Sequence, residues 1–553
     1  MYTITISHTM SQQSTTTFFT NLCKSFETNG IDANGLINVP ISDAKFGILS
    51  LNTISCSISE QEQEFIFTID QSGSMSDACS DGRTKMQHII HTLKNMIVYF
   101  NENRITNLHV TVFAFDNYFV TVIERTRVCA DNLQEILTKV GSIQPRGSTN
   151  IELALIKTGQ YITQIKADNP LHNINHIFMT DGDATEGSKD HNVLKGLVDP
   201  SVENAFIGFG ANHDSLLLGN VSNYKNSSYH FIDALEKAGL VYGEILHGIL
   251  YKYLTDAEIS VENGLVYNFK SNQWVDKLFI GDIVGEANKT YHLISNTPEN
   301  CNAVLSCKKS GENYLFAVAE LVNPDANHAK YIYRQKTLEL LFEVGNLQKN
   351  KMEVQNLYGG FPHFSMSRKE NEDYISKLEL IKDDEKELKQ KLREFFEEIK
   401  KYMSDNNLSD DSFLKNLCDD IYISHRTLGT TYGAMYATAR QTSQGTQRCY
   451  TVSHTPQDDE EDSNPNYINA HTTIFRTPRI LRQANRFHTP NLFSDTNNTY
   501  ETLGLKNMDE LNHNLSCFED TPYLTPTATR LMRDVSSNSH DDYMKAIEET
   551  QPI

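Results

Sequence analysis

The chain has 553 residues, a net charge of −22 and a pI near 5.3. That length exceeds what a single hydrophobic core fills, so several domains are expected. The acidic balance argues against general affinity for nucleic acid or anionic membranes, which need basic surface, and favours cations or basic partners.

Residues 1–60 form an N-terminal segment, polar at first, in which "KFGILSLNTISCSIS" alternates as edge strands do. Over 61–253 short apolar strands alternate with helical periods: "FIFTI", "LHVTVFAF", "FVTVIE", "INHIFMT", "NAFIGFG" and "YHFI", with helices expected at 83–100, 131–139, 149–166, 212–221 and 234–253. This is the pattern of an α/β fold, a doubly wound and mainly parallel sheet flanked by helices. Residues 254–345 read as a smaller, mainly β domain, with strands in "AEISVEN", "LVYNF", "NYLFAVAEL" and "KTLELLFEV". Residues 346–440 read as a helical segment. Within it Tyr374, Leu378, Ile381, Leu388, Leu392, Phe395, Ile399 and Tyr402 follow a 3-4 spacing broken only at Glu385, which suits a coiled-coil seam or, more simply, a helical hairpin on the β domain. From 441 to 553 the composition turns to Thr, Ser, Asn, Asp and Pro, too polar to offset the entropy of ordering, and a disordered tail is expected.

No stretch approaches the eighteen or so apolar residues of a membrane span, and the first residues lack the basic and apolar regions of a signal peptide. An intracellular, cytoplasmic protein is expected. The nine cysteines are scattered without a C-x-x-C pair, which suits a reducing compartment and excludes zinc-ribbon and RING-type modules.

In an open parallel sheet, ligands gather outside the carboxyl ends of the strands. Three oxygen-rich sequences fall on that edge: Asp70, Ser72 and Ser74 in "DQSGS", Thr149 in "GSTN", and Asp181 in "TDGD". Taken alone, "DQSGS" is ordinary turn chemistry. Together the five residues resemble the metal-ion-dependent adhesion site of the von Willebrand factor A family, with D-x-S-x-S after the first strand, a threonine in a later loop and an aspartate after the fourth strand. The resemblance covers about 64–253. It implies a divalent cation held by the hydroxyls of Ser72, Ser74 and at times Thr149, with Asp70 and Asp181 acting mostly through water. Magnesium fits such hard oxygen donors best, manganese or calcium less well, and the open position would take an Asp or Glu from a protein partner. Asp116 and Asp183 lie near the same edge, as loop acids or helix caps that could tune the shell from outside.

The expected function is therefore a non-enzymatic interaction or scaffold protein. The alternative is a magnesium-dependent phosphotransferase resembling the haloacid dehalogenase family, with Asp181 as nucleophile and Asp183 as general acid in D-x-D-x-T. That reading leaves "DQSGS" without a role. No Walker loop or H-E-x-x-H motif is present. Downstream of the α/β unit, the order of domains and pieces such as "YRQKTLELLFEV" and "YGAMYATARQTSQ" resemble Vwaint-region proteins. The Asn- and Ile-rich composition suits an AT-rich genome, such as that of a protist or a giant virus. Thr-Pro pairs at 455, 477, 489, 521 and 525 are candidate docking or phosphorylation sites, two of them in the short repeat "TPRILR" and "TPTATR".

Overall fold

A computed structural model describes residues 21–448, apart from 34, 37, 80–81, 211–212, 233–237, 321–327 and 359–367, together with 523 and 525–536. The α/β unit is built on six strands: β3 (Gln63–Asp70), β4 (Leu108–Phe115), β5 (Phe119–Arg127), β6 (Asn173–Thr180), β7 (Glu203–Phe209) and β8 (Ser227–Ile232). Their order in the sheet is β5-β4-β3-β6-β7-β8, with β5 alone antiparallel. Every side chain of β3 and β4 is buried, which explains why they read as continuous apolar runs rather than alternating ones. Because β4 lies on one side of β3 and β6 on the other, the winding direction reverses between β3 and β6. That reversal opens a crevice at their carboxyl ends.

Helices cover both faces of this sheet. On one face, Phe65, Phe67 and Ile69 pack with α1 (Lys85–Glu102), α2 (Ala130–Gly141) and α6 (Ala238–Leu250). On the other, Phe115, Phe178 and Phe206 pack with α3 (Ile151–Asp168), α4 (His191–Gly196) and α5 (Ser215–Val221). Local chemistry starts these helices where the sequence says it should. Thr84 and Gln87 form a reciprocal capping box at α1, and Asn150 accepts from the Leu153 N–H to cap α3.

The remaining strands form two further sheets. One has the order β11-β10-β13-β2-β1-β16 and the other β12-β9-β14-β15. They comprise β1 (Asn21–Asp32), β2 (Lys45–Asn52), β9 (Lys252–Glu262), β10 (Leu265–Asn268), β11 (Gln273–Val275), β12 (Lys277–Val284), β13 (Asn288–Ser295), β14 (Asn302–Lys309), β15 (Glu312–Ala317) and β16 (Ala319–Glu320). Leu49 and Leu51 of β2 share one core with Ile259, Leu293 and Leu305. The strand read as an edge is thus an interior one: β2 pairs with β1 on one side and with β13, more than 200 residues on, on the other. An alternating pattern reports one buried face and says nothing about which distant strands flank it.

Two further expectations are corrected by the helices. "KTLELLFEV" lies inside α7 (His328–Tyr358), where Leu338, Leu341 and Val344 are buried at helical spacing and Lys and Glu favour the helix. In place of a hairpin, four helices pack together: α7, α8 (Arg368–Asp405), α9 (Ser412–Thr427) and α10 (Thr431–Thr446). Met435 and Tyr436 of α10 also join the core that holds Phe178 and Phe206, so this bundle leans on the α/β sheet as well as on the β strands. No helix among the described residues is long and apolar enough to cross a membrane. Among the described residues no disulfide joins two cysteines.

The segment expected to be a disordered tail contributes two pieces of ordered structure, the end of α10 and α11 (Pro526–Ser536). Ala528, Leu531, Met532 and Val535 of α11 sit at i, i+3, i+4 and i+7 and are each at most 1% exposed, in the core shared with α1 and α6. Four apolar side chains on one stripe of a short helix suffice once a partner face is present; a composition average over 113 residues hides them. Thr525 is 4% exposed and its Oγ1 accepts from the Ala528 N–H, with Pro526 at the first helical position. This Thr-Pro pair is a helix start, with its hydroxyl engaged. The pairs at 455, 477, 489 and 521 lie outside the described residues.

Candidate metal centre

The β3–β6 crevice gathers the sequence-predicted residues. Asp70 ends β3 and is fully buried. Its Oδ1 accepts from the Ser72 N–H at 2.7 Å, and its Oδ2 accepts from the Thr180 hydroxyl at 2.7 Å. Both oxygens are thereby oriented, and the chain turns tightly into a short 3-10 turn over Gly73–Ser76. The Ser72 and Ser74 hydroxyls lie 3.1 Å apart, and Ser74 Oγ donates to Asp181 Oδ1 at 2.7 Å. Asp181 follows the last residue of β6 and is also fully buried.

Thr149 arrives from the loop before α3. The Gly73 N–H donates to Gly147 O and the Arg146 N–H to Gln71 O, tying that loop to the "DQSGS" turn. The Thr149 N–H donates to Thr185 Oγ1 at 2.8 Å, while its own carbonyl accepts from the Thr185 and Glu186 N–H groups. Gly182 separates the two hydroxyls: a methyl group there would lie 3.9 Å from both Ser74 Oγ and Thr149 Oγ1. All five residues therefore meet at one end of one crevice. Ser74 stays exposed while Ser72 and Thr149 are 1% and 4% exposed, so the cluster opens on one side.

Burial and the neighbouring Asp181 push the Asp70 carboxyl up to about 6, against the hydrogen bonds from Ser72 and Thr180 that favour its ionised form. Excess negative charge at this point is offset from a direction that sequence reading missed. Lys85, in the first turn of α1, places Nζ 2.7 Å from Asp181 Oδ2 and 3.1 Å from Asp77 Oδ2. A lysine there opposes the helix dipole, and that local misfit was the signal available in "RTKMQ".

Asp116 and Asp183 stand outside the cluster. Asp116 is fully buried, with Oδ2 accepting from Gln71 Nε2 and Arg146 Nε and Oδ1 from the Tyr118 N–H. Asp183 is pushed up to about 6 by burial and by Asp214, with Lys189 and His191 opposing; its electrostatic neighbours include none of the five residues.

The donor set suits a small hard cation. Octahedral magnesium at about 2.1 Å from each oxygen puts adjacent ligands about 3 Å apart. The Ser72–Ser74 separation of 3.1 Å matches that edge.

Residues 65–183 match the family model of the von Willebrand factor type A domain. The chain carries a von Willebrand factor type A domain. Solved structures are similar to the chain at low identity. The von Willebrand factor type A protein from Catenulispora acidiphila is 16% identical, with 62% of this chain and 84% of that chain covered and a TM-score of 0.41. The ArnB paralog VWA2 from Sulfolobus acidocaldarius is 12% identical, with 77% and 98% covered and a TM-score of 0.41. Proximal thread matrix protein 1 from the mussel byssus, solved with a zinc-occupied MIDAS motif, is 18% identical, with 33% and 46% covered and a TM-score of 0.27. No curated protein sequence matches the chain. Domains of this type are generally non-enzymatic modules that mediate metal-dependent protein interactions.

Proposed function

We propose that the type A domain is a magnesium-dependent protein-binding module, in which Ser72, Ser74 and Thr149 hold the ion and Asp70 and Asp181 act through water. The carrying observation is the one-sided cluster itself: three hydroxyls and two buried carboxylates converge at one end of the crevice, the Ser72 and Ser74 hydroxyls 3.1 Å apart, and one side is left open. Hydroxyl ligands are neutral, so the bound ion keeps enough positive charge to attract an acidic side chain from a partner. The rim fits such a partner, since Lys85 lies beside the cluster and the rim carries Arg146 and Tyr118, the last 66% exposed. The β strands and the helical bundle serve as the scaffold, and the protein works inside the cell.

The phosphotransferase reading fits less well. It needs Asp183 to work beside Asp181, whereas burial and Asp214 dominate its surroundings.

A pull-down from matched extracts, with magnesium and with chelator, checks the proposal. Capture should be lost in chelator and in Thr149→Ala and Asp70→Ala, with the circular dichroism spectrum unchanged. Capture that survives both treatments overturns it, and phosphatase activity abolished by Asp181→Asn would favour the alternative. A pH series adds a signed expectation. Because Asp70 must be ionised to act on the bound ion and carries its proton below about pH 6, apparent magnesium affinity should fall by roughly tenfold per pH unit below that point. Isothermal titration at several pH values reads this directly.

A further inference from the structure

At the opposite end of the same sheet, the amino ends of three adjacent strands bring together groups of a different kind. Glu62 immediately precedes β3, His109 is the second residue of β4, and His172 immediately precedes β6. One ligand atom from each of the three lies within 4.8 Å of the others. The rings of His109 and His172 are nearly parallel, with centroids 6.1 Å apart. His109 Nδ1 is 3.8 Å from Glu62 Oε2, and that oxygen is buried without a hydrogen-bond donor. Six residues of strand, about 20 Å, separate Glu64 in this cluster from Asp70 in the adhesion-type site.

We propose that Glu62, His109 and His172 form a second metal centre that takes a zinc-class ion, distinct from the magnesium site. Two imidazoles and one carboxylate are the donor set of borderline transition ions, whereas the hydroxyl-rich crevice suits magnesium. Three protein ligands leave a fourth tetrahedral position to water.

The surroundings already have the form that supports such a centre. Glu64 is 1% exposed on its side chain and its Oε1 lies 2.8 Å from His172 Nδ1, the carboxylate–histidine contact that orients a ligating imidazole. Arg125 in turn holds Glu64 through Nε at 3.0 Å and Nη2 at 2.6 Å. His109 is 8% exposed, so its imidazole is held within the cluster.

Arg127 is the competing group. Its Nη2 is 2.8 Å from Glu62 Oε1 and its Nε donates to His109 Nε2 at 3.0 Å. Its side chain is 54% exposed, so it can swing into solvent when an ion arrives. In this arrangement Arg127 is a displaceable internal cation that lowers the affinity of the centre.

The test is a zinc titration of the full chain, read by competition with a chromophoric chelator, in a Thr149→Ala/Asp181→Asn background that removes the other site. One equivalent should bind. His172→Gln and Glu62→Gln should each weaken it by at least tenfold, and Arg127→Gln should strengthen it by a similar factor. Cobalt in place of zinc should show the intense visible bands of a four-coordinate site, which His172→Gln abolishes. Circular dichroism on each variant separates lost binding from lost folding. No zinc binding in the double-variant background, or binding indifferent to Glu62 and His172, overturns the proposal. Neither outcome bears on the magnesium-dependent capture of a partner.

Discussion

Gly243→Ala is expected to destabilise the type A domain by roughly 5 kcal/mol, while Gly248→Ala, five residues along the same helix, is expected to stabilise it slightly. Both glycines lie in α6, yet their surroundings are opposite. A Cβ on Gly243 would lie 2.5 Å from Met532 Cα and 2.9 Å from Met532 N, both backbone atoms of α11. Nothing lies within 4 Å of a Cβ on Gly248. At Gly239 a Cβ would come within 2.5 Å of Ser536 Oγ, so α11 runs against a glycine-lined face of α6. Alanine at 243 must push α11 away, and with it Leu531, Met532 and Val535, each worth about 1.5–3 kcal/mol when fully buried. Alanine at 248 meets no neighbour and gains up to about 1 kcal/mol of helix propensity. Urea unfolding of the two variants gives the signs. Faster tryptic cleavage at Arg530 and Arg533, both exposed on α11, would show that Gly243→Ala acts by displacing that helix. Equal stability of the two variants would mean that α11 does not hold this position in solution. Its other anchors are the Asn95 Nδ2 bond to Val535 O at 2.9 Å and the Thr527 N–H bond to Glu286 Oε2 at 3.2 Å.

Lys85→Met is expected to tighten magnesium binding by about tenfold and to weaken partner capture at saturating magnesium. The ammonium sits 2.7 Å from Asp181 Oδ2, and its side chain is only 16% exposed. At an effective dielectric near 20, a unit charge about 5 Å from a divalent ion opposes it by several kcal/mol, reduced by solvent screening to about 1–2 kcal/mol. Removing the lysine removes that opposition and leaves Asp181 fully available. The partner's carboxylate, however, loses a second cation beside the ion. A titration calorimeter measures the first effect and a pull-down at saturating magnesium the second. Weaker metal binding in Lys85→Met would show that the lysine supports the carboxylate geometry instead of competing with the ion.

The α/β unit and its crevice were legible because their information is local. Buried parallel strands have to be continuous apolar runs, and "FIFTI", "LHVTVFAF" and "INHIFMT" are such runs. The carboxyl edge of such a sheet is where loops converge, so Asp70, Thr149 and Asp181 could be placed together before any coordinate was known. Asp116 and Asp183 share that edge in sequence, but hydrogen bonds from Gln71, Arg146 and Tyr118 fix the one, and Asp214 dominates the charge around the other. Which acid joins a cluster depends on side-chain direction, which loop sequence does not encode at this level.

What the sequence determined by itself was the class of the main fold, its strand and helix alternation, and the oxygen-bearing side chains at the strand ends, because each follows from residue type and short-range period. The tertiary structure alone decided five things. It set β2 between β1 and the distant β13, made "KTLELLFEV" helical within a bundle, and recruited α11 from a polar tail. It also brought Lys85 to Asp181, and Glu62, His109 and His172 to one another. All of these depend on contacts between residues far apart in sequence, whose free energy exists only once the elements have packed. A local pattern carries the propensity of a segment, and the partner that completes its buried face is chosen by the fold.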